Sequence, residues 1–275
     1  MVKNIFIKLI DLLKYFSRKL GIEIKIERIP KCRKGLLNLN VACGSYEIPN
    51  FISLDYLADN YYSKIIKKKK KIHYDLRNDK LPFDDDSVDN IYISHAIEHV
   101  EDYAVENFLK ESHRVLKSAS VLRIAVPDSE FIYNVSKFNN NYWNWRYQRS
   151  KNSGLYKNNL RNASQFDYLL RELSTPKLEC YKYFQKQFKL DPEHFWEIEY
   201  NDAMNYLKKG LSFREASPFD HINNWDFQRI REIGGKFGFS HILKSKCQGS
   251  VSKEMQGPIF DQNSPQFSLY VDLIK

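Results

Sequence analysis

The stretch "LNVACGSYEIPNFISLDY", residues 39–56, decides the fold. It begins as an apolar, strand-like run that leads to Gly44, and a second short apolar run ends at Asp55. Glycine permits a positive φ and lets a ligand approach the backbone closely. A carboxylate at the end of the second strand can accept hydrogen bonds from the hydroxyls of a ribose. We also expect a helix after Gly44, with free backbone N–H groups that face the ligand.

Further apolar runs continue this pattern along the chain. Strands are predicted for residues 36–42, 51–55, 71–75, 88–94 and 121–127. Between the last two, residues 101–118 carry apolar side chains at helical spacing, which predicts a helix. Strands that alternate with helices favour a parallel sheet with crossover helices. Such sheets bind ligands at the carboxyl ends of their strands.

The alternation stops after Pro127 and resumes near the end of the chain. Residues 131–219 are aromatic, asparagine-rich and basic, which predicts an inserted, mainly helical subdomain. A closing helix is expected within 223–239, followed by strands within 240–248 and 267–275. The expected organisation is an N-terminal segment at 1–30, a core at 31–130, an insertion at 131–219 and the rest of the core at 220–275.

Residues 5–20 read as a basic amphipathic helix. It either packs on the main domain or lies in a membrane interface. The stretch lacks the features of a secretory signal, and no apolar run approaches the roughly 20 residues that span a bilayer. Scattered cysteines fit a reducing cytosol. We therefore expect a cytoplasmic protein, with peripheral contact at the inner membrane face as the further expectation.

Composition limits the partners and the metal chemistry. The chain has 275 residues, 43% hydrophobic and 28% charged, with a formal net charge of +9. This charge favours anionic partners, although a lysine-rich solvated surface explains it equally well. The four cysteines form no C-x-x-C pair and lie near no histidine at ligand spacing. No metal site is expected from them.

The later motifs make the pattern specific. In chain order the sequence reads "LNVACG", "SLDY", "DL", "LPF", "SHAIEH", "RVLK" and "AVPD". These elements resemble the class I S-adenosylmethionine-dependent methyltransferases, and within them a bacterial branch of the type 11 methyltransferase domain. The resemblance covers residues 36–128, about a third of the chain, and the tail from 221 suits the last helix and strand pair. It implies a Rossmann-like, mostly parallel seven-stranded sheet with flanking helices.

The resemblance implies S-adenosylmethionine as the cofactor. Backbone near Asn40, Ala42 and Gly44 would hold its methionine part. Ser94 and His95, at the end of the fourth strand, would lie beside the sulfonium. Among the loop glycines of this branch only Gly44 is present: alanine stands at the first position and tyrosine at the third.

The adenosine part of the cofactor would meet the next two strand ends. By resemblance, Asp55 takes the ribose hydroxyls, Tyr56 and Leu76 flank the adenine, and Asp75 accepts from its amine. A nicotinamide-dependent oxidoreductase is the competing nucleotide interpretation. It calls for a fuller G-x-G-x-x-G sequence to admit a pyrophosphate, and only Gly44 is present.

Candidates for moving a proton are His95, Glu98, His99, Asp128 and His221. Histidine suits this task near neutral pH. The spacing of "SHAIEH" puts its two histidines and its glutamate on one face if the stretch is helical. The alternatives are a structural histidine at 99 and a surface-loop histidine at 221.

The insertion is expected to form the acceptor pocket, since variable segments above a rigid sheet carry specificity. Its candidate side chains, able to stack on rings or pair with anions, are Tyr142, Trp143, Trp145, Arg146, Tyr147 and Arg149. A small aromatic core is the alternative for the tryptophans. The resulting hypothesis is O-methylation of a sugar, glycan or other polar, anionic metabolite, of the surface-polysaccharide type. RNA methylation and a non-catalytic binding protein are the rival hypotheses.

Overall fold

The computed structural model describes residues 35–56, 71–139, 141–153, 164–177 and 191–275. The predicted N-terminal amphipathic helix lies outside these residues. Within the described part of the chain, no helix is both long enough and apolar enough to cross a bilayer.

A seven-stranded sheet forms the centre of the molecule, in the order β3-β2-β1-β4-β5-β7-β6. The strands β1 to β5 run parallel, and β7 is antiparallel to both of its neighbours. Their bounds are β1 Asn38–Val41, β2 Ile52–Asp55, β3 Ile72–His73, β4 Val88–Ser94, β5 Leu116–Pro127, β6 His241–Ser245 and β7 Ser268–Ile274. The Rossmann-like, mostly parallel sheet predicted from the sequence is confirmed.

Helices connect and cover these strands. Their bounds are α1 Asp102–Val115, α2 Ser129–Phe138, α3 Asn144–Ser153, α4 Gln165–Leu173, α5 Pro192–Glu197, α6 Tyr200–Lys208 and α7 Phe227–Lys236. Short 3₁₀ turns occur at Ile97–His99, Thr175–Lys177 and Lys253–Met255. The crossover helix α1 buries one apolar face that includes Phe108 and Leu109, which fits its sequence periodicity.

The expected helix after Gly44 is wrong. Residues 42–51 form turns and loop, and β2 begins directly after them. The connection is shorter than the dozen or so residues of a helical crossover. It also contains Pro49, which has no backbone N–H, and Asn50, which has a φ of 65°. Ile48 and Phe51 instead pack with Phe260 from the C-terminal part of the chain.

The rest of the described core consists of two larger apolar clusters. The first lies around the sheet and includes Val41, Ile93 and Trp225. The second is built from helices α2, α4, α5 and α6, and contains Trp143 and Phe195. The insertion therefore has an aromatic core of its own within the described residues.

A buried ion cluster fixes β5 to the end of the chain. Arg123 lies 2.6 Å from Asp261 and 2.9 Å from Asp272, and none of the three side chains is exposed. The burial of these charges is tolerable because each has a partner of opposite sign. The cluster thus joins the C-terminal loops to the sheet.

Candidate active site

A cavity of about 680 Å³ opens at the carboxyl ends of β1, β2 and β4 and beside the residues that follow β3. This volume is within the range typical of small-molecule sites. The cavity brings together the sequence-predicted residues Asn40, Ala42, Gly44, Asp55, Tyr56, Asp75, Leu76, Ser94, His95, His99 and His221.

The loop after β1 turns through two left-handed residues. Ala42 has a φ of 51° and Gly44 a φ of 55°. Asn40 donates from its side-chain amide to the backbone carbonyl of Tyr46 at 2.9 Å. The phenol of Tyr46 donates to the carbonyl of Ile259 at 2.7 Å. Tyr46 can thus occupy the position of the third loop glycine, because its side chain points toward the C-terminal loops.

Asp55 ties this loop to the end of β2. Its carboxylate accepts the backbone N–H of Gly44 at 2.6 Å and that of Tyr56 at 2.8 Å. The ammonium of Lys71 lies 3.9 Å away and also contacts the carbonyl of Gly44. Burial, and next the charge of Asp55, raise the pKa of the Cys43 thiol to about 11. The buried aspartate thus has a structural task beside any contact with a ligand.

Asp75 has a partner that the sequence prediction did not foresee. Burial raises the pKa of this carboxyl, but its hydrogen bonds with Arg77 outweigh burial and leave the pKa below its usual value. The guanidinium of Arg77 lies 2.8 Å from the carboxylate and stacks over the rings of Phe213 at 4.0 Å and Tyr56 at 5.1 Å. Arg77 and Phe213 therefore line the cavity beside Tyr56 and Leu76, the two residues predicted to flank the adenine.

The "SHAIEH" stretch brings its ionisable side chains together through a sharp turn. His95 has a φ of 49°, and a 3₁₀ turn follows at Ile97–His99. The carboxylate of Glu98 lies 3.2 Å from Nδ1 of His95 and 3.9 Å from Nε2 of His99. Burial raises the pKa of Glu98, but the adjacent histidines outweigh it and lower the pKa to about 2. Glu98 is thus a buried, ionised carboxylate.

His221 reaches this cluster from a loop after the insertion. Its ring meets that of His99 edge to face, with centroids 4.8 Å apart. Nδ1 of His221 lies 2.5 Å from the carbonyl oxygen of Glu172, and Nδ1 of His99 lies 3.0 Å from that of Asp220. Burial and the proximity of His99 lower the pKa of His221 to about 4. The ring of His221 is therefore neutral near pH 7.

The insertion contributes a second charged group to the cavity. Glu172 lies 2.5 Å from the guanidinium of Arg146 and 3.7 Å from that of Arg171. Burial raises the pKa of Glu172, although both arginines act in the opposite direction. Sequence reasoning named Arg146 but missed Glu172 and Arg171, because only the fold brings α4 over the end of β4.

Asp128 does not line the cavity, so its expected catalytic role is withdrawn. It is the N-cap of α2, and its carboxylate accepts the backbone N–H of Phe131 at 3.1 Å. Lys244 lies 3.5 Å from the same carboxylate. An aspartate after a strand is also a common helix cap, and that is its role here.

The aromatic side chains around Trp143 form core rather than pocket wall. Trp143 is 2% exposed, stacks on Tyr168 and donates from its indole N–H to Ser136 at 3.0 Å. Trp145 and Tyr147 pack against the same cluster. The side chain of residue 149 lies outside the described part. Of the expected acceptor-binding side chains that the structure describes, Arg146 is the one that lines the cavity.

Comparison with known protein families identifies one part of the chain. Residues 39–124, just under a third of the chain, match the family described as "Methyltransferase domain". The match covers β1 to β4, α1 and most of β5, the part of the chain that builds the cavity floor. Residues 39–124 therefore form a methyltransferase domain, and the strand order and cavity are those expected for S-adenosylmethionine-dependent methyl transfer. Among curated proteins, none matches the chain.

Solved structures with a similar fold include three S-adenosylmethionine-dependent methyltransferases. The one from Archaeoglobus fulgidus is 13% identical, with 96% of this chain and 94% of that chain covered and a TM-score of 0.42. One from Thermotoga maritima is 14% identical, with 87% and 82% covered and a TM-score of 0.39. One from Aquifex aeolicus is 11% identical, with 88% and 83% covered and a TM-score of 0.39. Likenesses this distant say nothing about the acceptor.

The residues of the cavity fit S-adenosylmethionine, the cofactor of this class. Asp55 ends β2 and Asp75 follows the adjacent β3, and both supply carboxylates for the polar edges of an adenosine. A Cβ added at Gly44 would meet no heavy atom within 4 Å, so the loop has open space where the backbone faces the cavity. From there the cavity continues to Ser94 and His95.

Proposed function

We propose that the protein methylates a hydroxyl oxygen of a sugar, glycan or other polar acceptor. One observation carries this proposal. Beyond His95 the cavity is lined by the ionisable side chains of Glu98, His99, Arg146, Glu172 and His221. An apolar acceptor would leave these buried polar groups unsatisfied, which is costly. A hydroxylated acceptor can hydrogen-bond with them.

The chain's own residues supply orientation and a place for a proton. When bound, S-adenosylmethionine supplies the methyl group on a positively charged sulfur. His99 donates through Nδ1 to the carbonyl of Asp220, because a carbonyl oxygen can only accept. In the neutral ring Nε2 then has the lone pair, which can take the proton of an acceptor hydroxyl. His221, with its lowered pKa, is a weaker base and serves to hold the acceptor.

An anionic acceptor is supported by the two arginines of the insertion. Arg146 and Arg171 both line the cavity, and Glu172 lies beside them as a counter-charge. Guanidinium groups bind carboxylates and phosphates with paired hydrogen bonds. We therefore propose acidic sugars, sugar phosphates and polysaccharide fragments as the acceptor class, which fits the role in surface-polysaccharide synthesis expected from the sequence.

The test is an acceptor screen with purified protein and methyl-labelled S-adenosylmethionine. The screen includes neutral sugars, acidic sugars, sugar phosphates and short RNA, with the product oxygen located by NMR. We expect label on a hydroxyl oxygen of a sugar. Turnover on RNA, or on a nitrogen or carbon acceptor, with none on sugars would overturn the proposal.

Matched variants define the role of the histidine. The His99→Ala substitution should reduce turnover at least tenfold while binding of S-adenosylhomocysteine persists. The control is His241→Ala, because His241 is exposed on β6 away from the cavity. Equal turnover in both variants would remove His99 from the proposed site.

A further inference from the structure

Three ligand-type side chains converge at the inner end of the cavity. One carboxylate oxygen of Glu98 and one ring nitrogen each of His99 and His221 lie within 4.8 Å of one another. The three come from the turn after β4 and from a loop after the insertion. They are brought together by backbone hydrogen bonds, since the carbonyl of Glu98 accepts the N–H groups of Ile222 at 2.9 Å and Asn223 at 3.0 Å.

Each of the two histidines has one ring nitrogen that is not engaged with a backbone carbonyl. Each ring donates a hydrogen bond from Nδ1 to a backbone carbonyl oxygen: His99 to that of Asp220 and His221 to that of Glu172. A carbonyl oxygen cannot donate, so each Nδ1 carries the proton and each Nε2 has a free lone pair. This arrangement, with the outer ring nitrogen fixed by a carbonyl, is the one found around metal-bound histidines.

The carboxylate of Glu98 lacks the partners that its burial requires. The residue is 1% exposed, and within the described chain neither carboxylate oxygen has a hydrogen-bond partner of good geometry. His95 Nδ1 approaches Oε1 to 3.2 Å, and His99 Nε2 remains 3.9 Å away. Burying a carboxylate without a hydrogen-bond partner is costly. A cation at the point of convergence would satisfy it.

We propose that Glu98, His99 and His221 bind one divalent transition-metal cation and leave coordination positions open toward the cavity. Three protein ligands with an open position are the pattern of catalytic rather than structural metal sites. Two imidazoles and one carboxylate suit zinc, iron or cobalt better than magnesium. The expectation of no metal was drawn from cysteine spacing, and this site uses no cysteine.

Metal binding requires a small contraction of the cluster. Two atoms each about 2.1 Å from a metal can be at most about 4.2 Å apart. The farthest pair here is 4.8 Å apart, so binding must bring it closer by rotation of the side chains. The main chain around Glu98 is fixed by the bonds from Ile222 and Asn223, so the loops need not move.

The cation would also define the acceptor, a consequence that rests on the proposed function. An acceptor hydroxyl at an open coordination position would have its pKa lowered by the cation. Acceptors with two adjacent oxygen atoms, such as vicinal diols or hydroxy acids, would chelate the cation. His99 would then act as a ligand rather than as a base, and the proton of the acceptor hydroxyl would pass to the carboxylate of Glu172, which lines the same cavity. Turnover would depend on the metal.

The direct test is cobalt titration of chelator-stripped protein, followed by visible absorption and calorimetry. We expect one equivalent of Co²⁺ to bind to the wild type and to be displaced by Zn²⁺. Glu98→Gln and His221→Ala should each weaken binding at least tenfold, while the exposed-histidine control His241→Ala should bind as the wild type does. No saturable one-equivalent binding by the wild type, or equal loss in the control, would overturn the metal site.

Further measurements distinguish a loss of metal binding from a loss of folding or of activity. Circular dichroism and binding of S-adenosylhomocysteine check each variant. If the variants do not fold, thermal unfolding of the wild type provides the test, because a bound ligand raises the unfolding midpoint. We expect Zn²⁺ to raise this midpoint more than Mg²⁺ does. Equal midpoints with the two cations would overturn the site. Metal binding without turnover on any sugar contradicts the proposed function alone. Full turnover in excess chelator contradicts the role of the metal in acceptor binding.

Discussion

The carboxylate of Asp55 accepts the backbone N–H of Gly44 at 2.6 Å, which joins the end of β2 to the loop after β1. The residue that the sequence assigned to the ribose therefore also fixes the loop assigned to the methionine part of the cofactor. Both halves of the cofactor region depend on this one hydrogen-bonded turn. Its backbone conformation is the first feature that can be tested.

We predict that two substitutions in this loop differ in their effect on stability. Gly44 has a φ of 55° and Ala42 a φ of 51°. A left-handed conformation costs a residue with a Cβ about 1–2 kcal/mol. Gly44→Ala should therefore lower the free energy of unfolding by about 1 kcal/mol, since its Cβ would meet no atom within 4 Å and strain alone remains.

Ala42→Gly should instead be neutral or stabilising, by up to about 1 kcal/mol, because relief of strain opposes the added entropy of the unfolded chain. Urea unfolding of the cofactor-free protein measures both. A stable Gly44→Ala variant together with a strongly destabilised Ala42→Gly variant would contradict the described loop.

Arg123 should be far more important for stability than a surface cation. Arg123→Met leaves Asp261 and Asp272 buried without their cation, and breaking a buried pair in this way costs about 3–5 kcal/mol. The matched control is Lys236→Met, which removes a surface pair with Glu106 and should change stability by less than about 1 kcal/mol. Similar urea midpoints for the two variants would refute the buried cluster.

The thiol of Cys43 should resist alkylation near neutral pH. Burial, and after it the charge of Asp55, raise its pKa to about 11, and the thiolate is the reactive form. Iodoacetamide labelling, read by peptide mass spectrometry, should therefore be slow at pH 8 and increase toward pH 11. The less buried Cys247 is the internal comparison.

Asp55→Asn removes a negative charge beside the thiol, so it should shift the Cys43 profile to lower pH. Rapid labelling of wild-type Cys43 at pH 7 would show that the thiol is neither buried nor next to a carboxylate.

Much of the cavity lining at the strand ends could be predicted because it is encoded locally. The residues that end β1, β2 and β4 and follow β3 were identified by short apolar runs followed by Gly44, Asp55, Asp75 and Ser94. Parallel strands place their carboxyl ends at one edge, so these residues meet wherever the sheet forms. The missing helix after Gly44 could also have been inferred from the shortness of that connection and from Pro49.

The acceptor end could not be predicted in the same way because long-range contacts assemble it. His221 and Glu172 reach Glu98 and His99 only after the insertion has folded over the sheet. Nothing in the local sequence distinguishes the cap at Asp128 from a catalytic aspartate. Likewise, only packing decides that Trp143 belongs to a core and Arg146 to the cavity.

Calorimetric titration of S-adenosylhomocysteine shows whether this cavity binds S-adenosylmethionine. We expect the wild type to bind one equivalent and Asp55→Ala to bind at least tenfold more weakly, a loss of about 1.4 kcal/mol or more. The exposed-aspartate control Asp202→Ala should bind as the wild type does, and circular dichroism checks that each variant is folded. No binding by the folded wild type, or equal binding by Asp55→Ala, would show that this cavity is not the cofactor site.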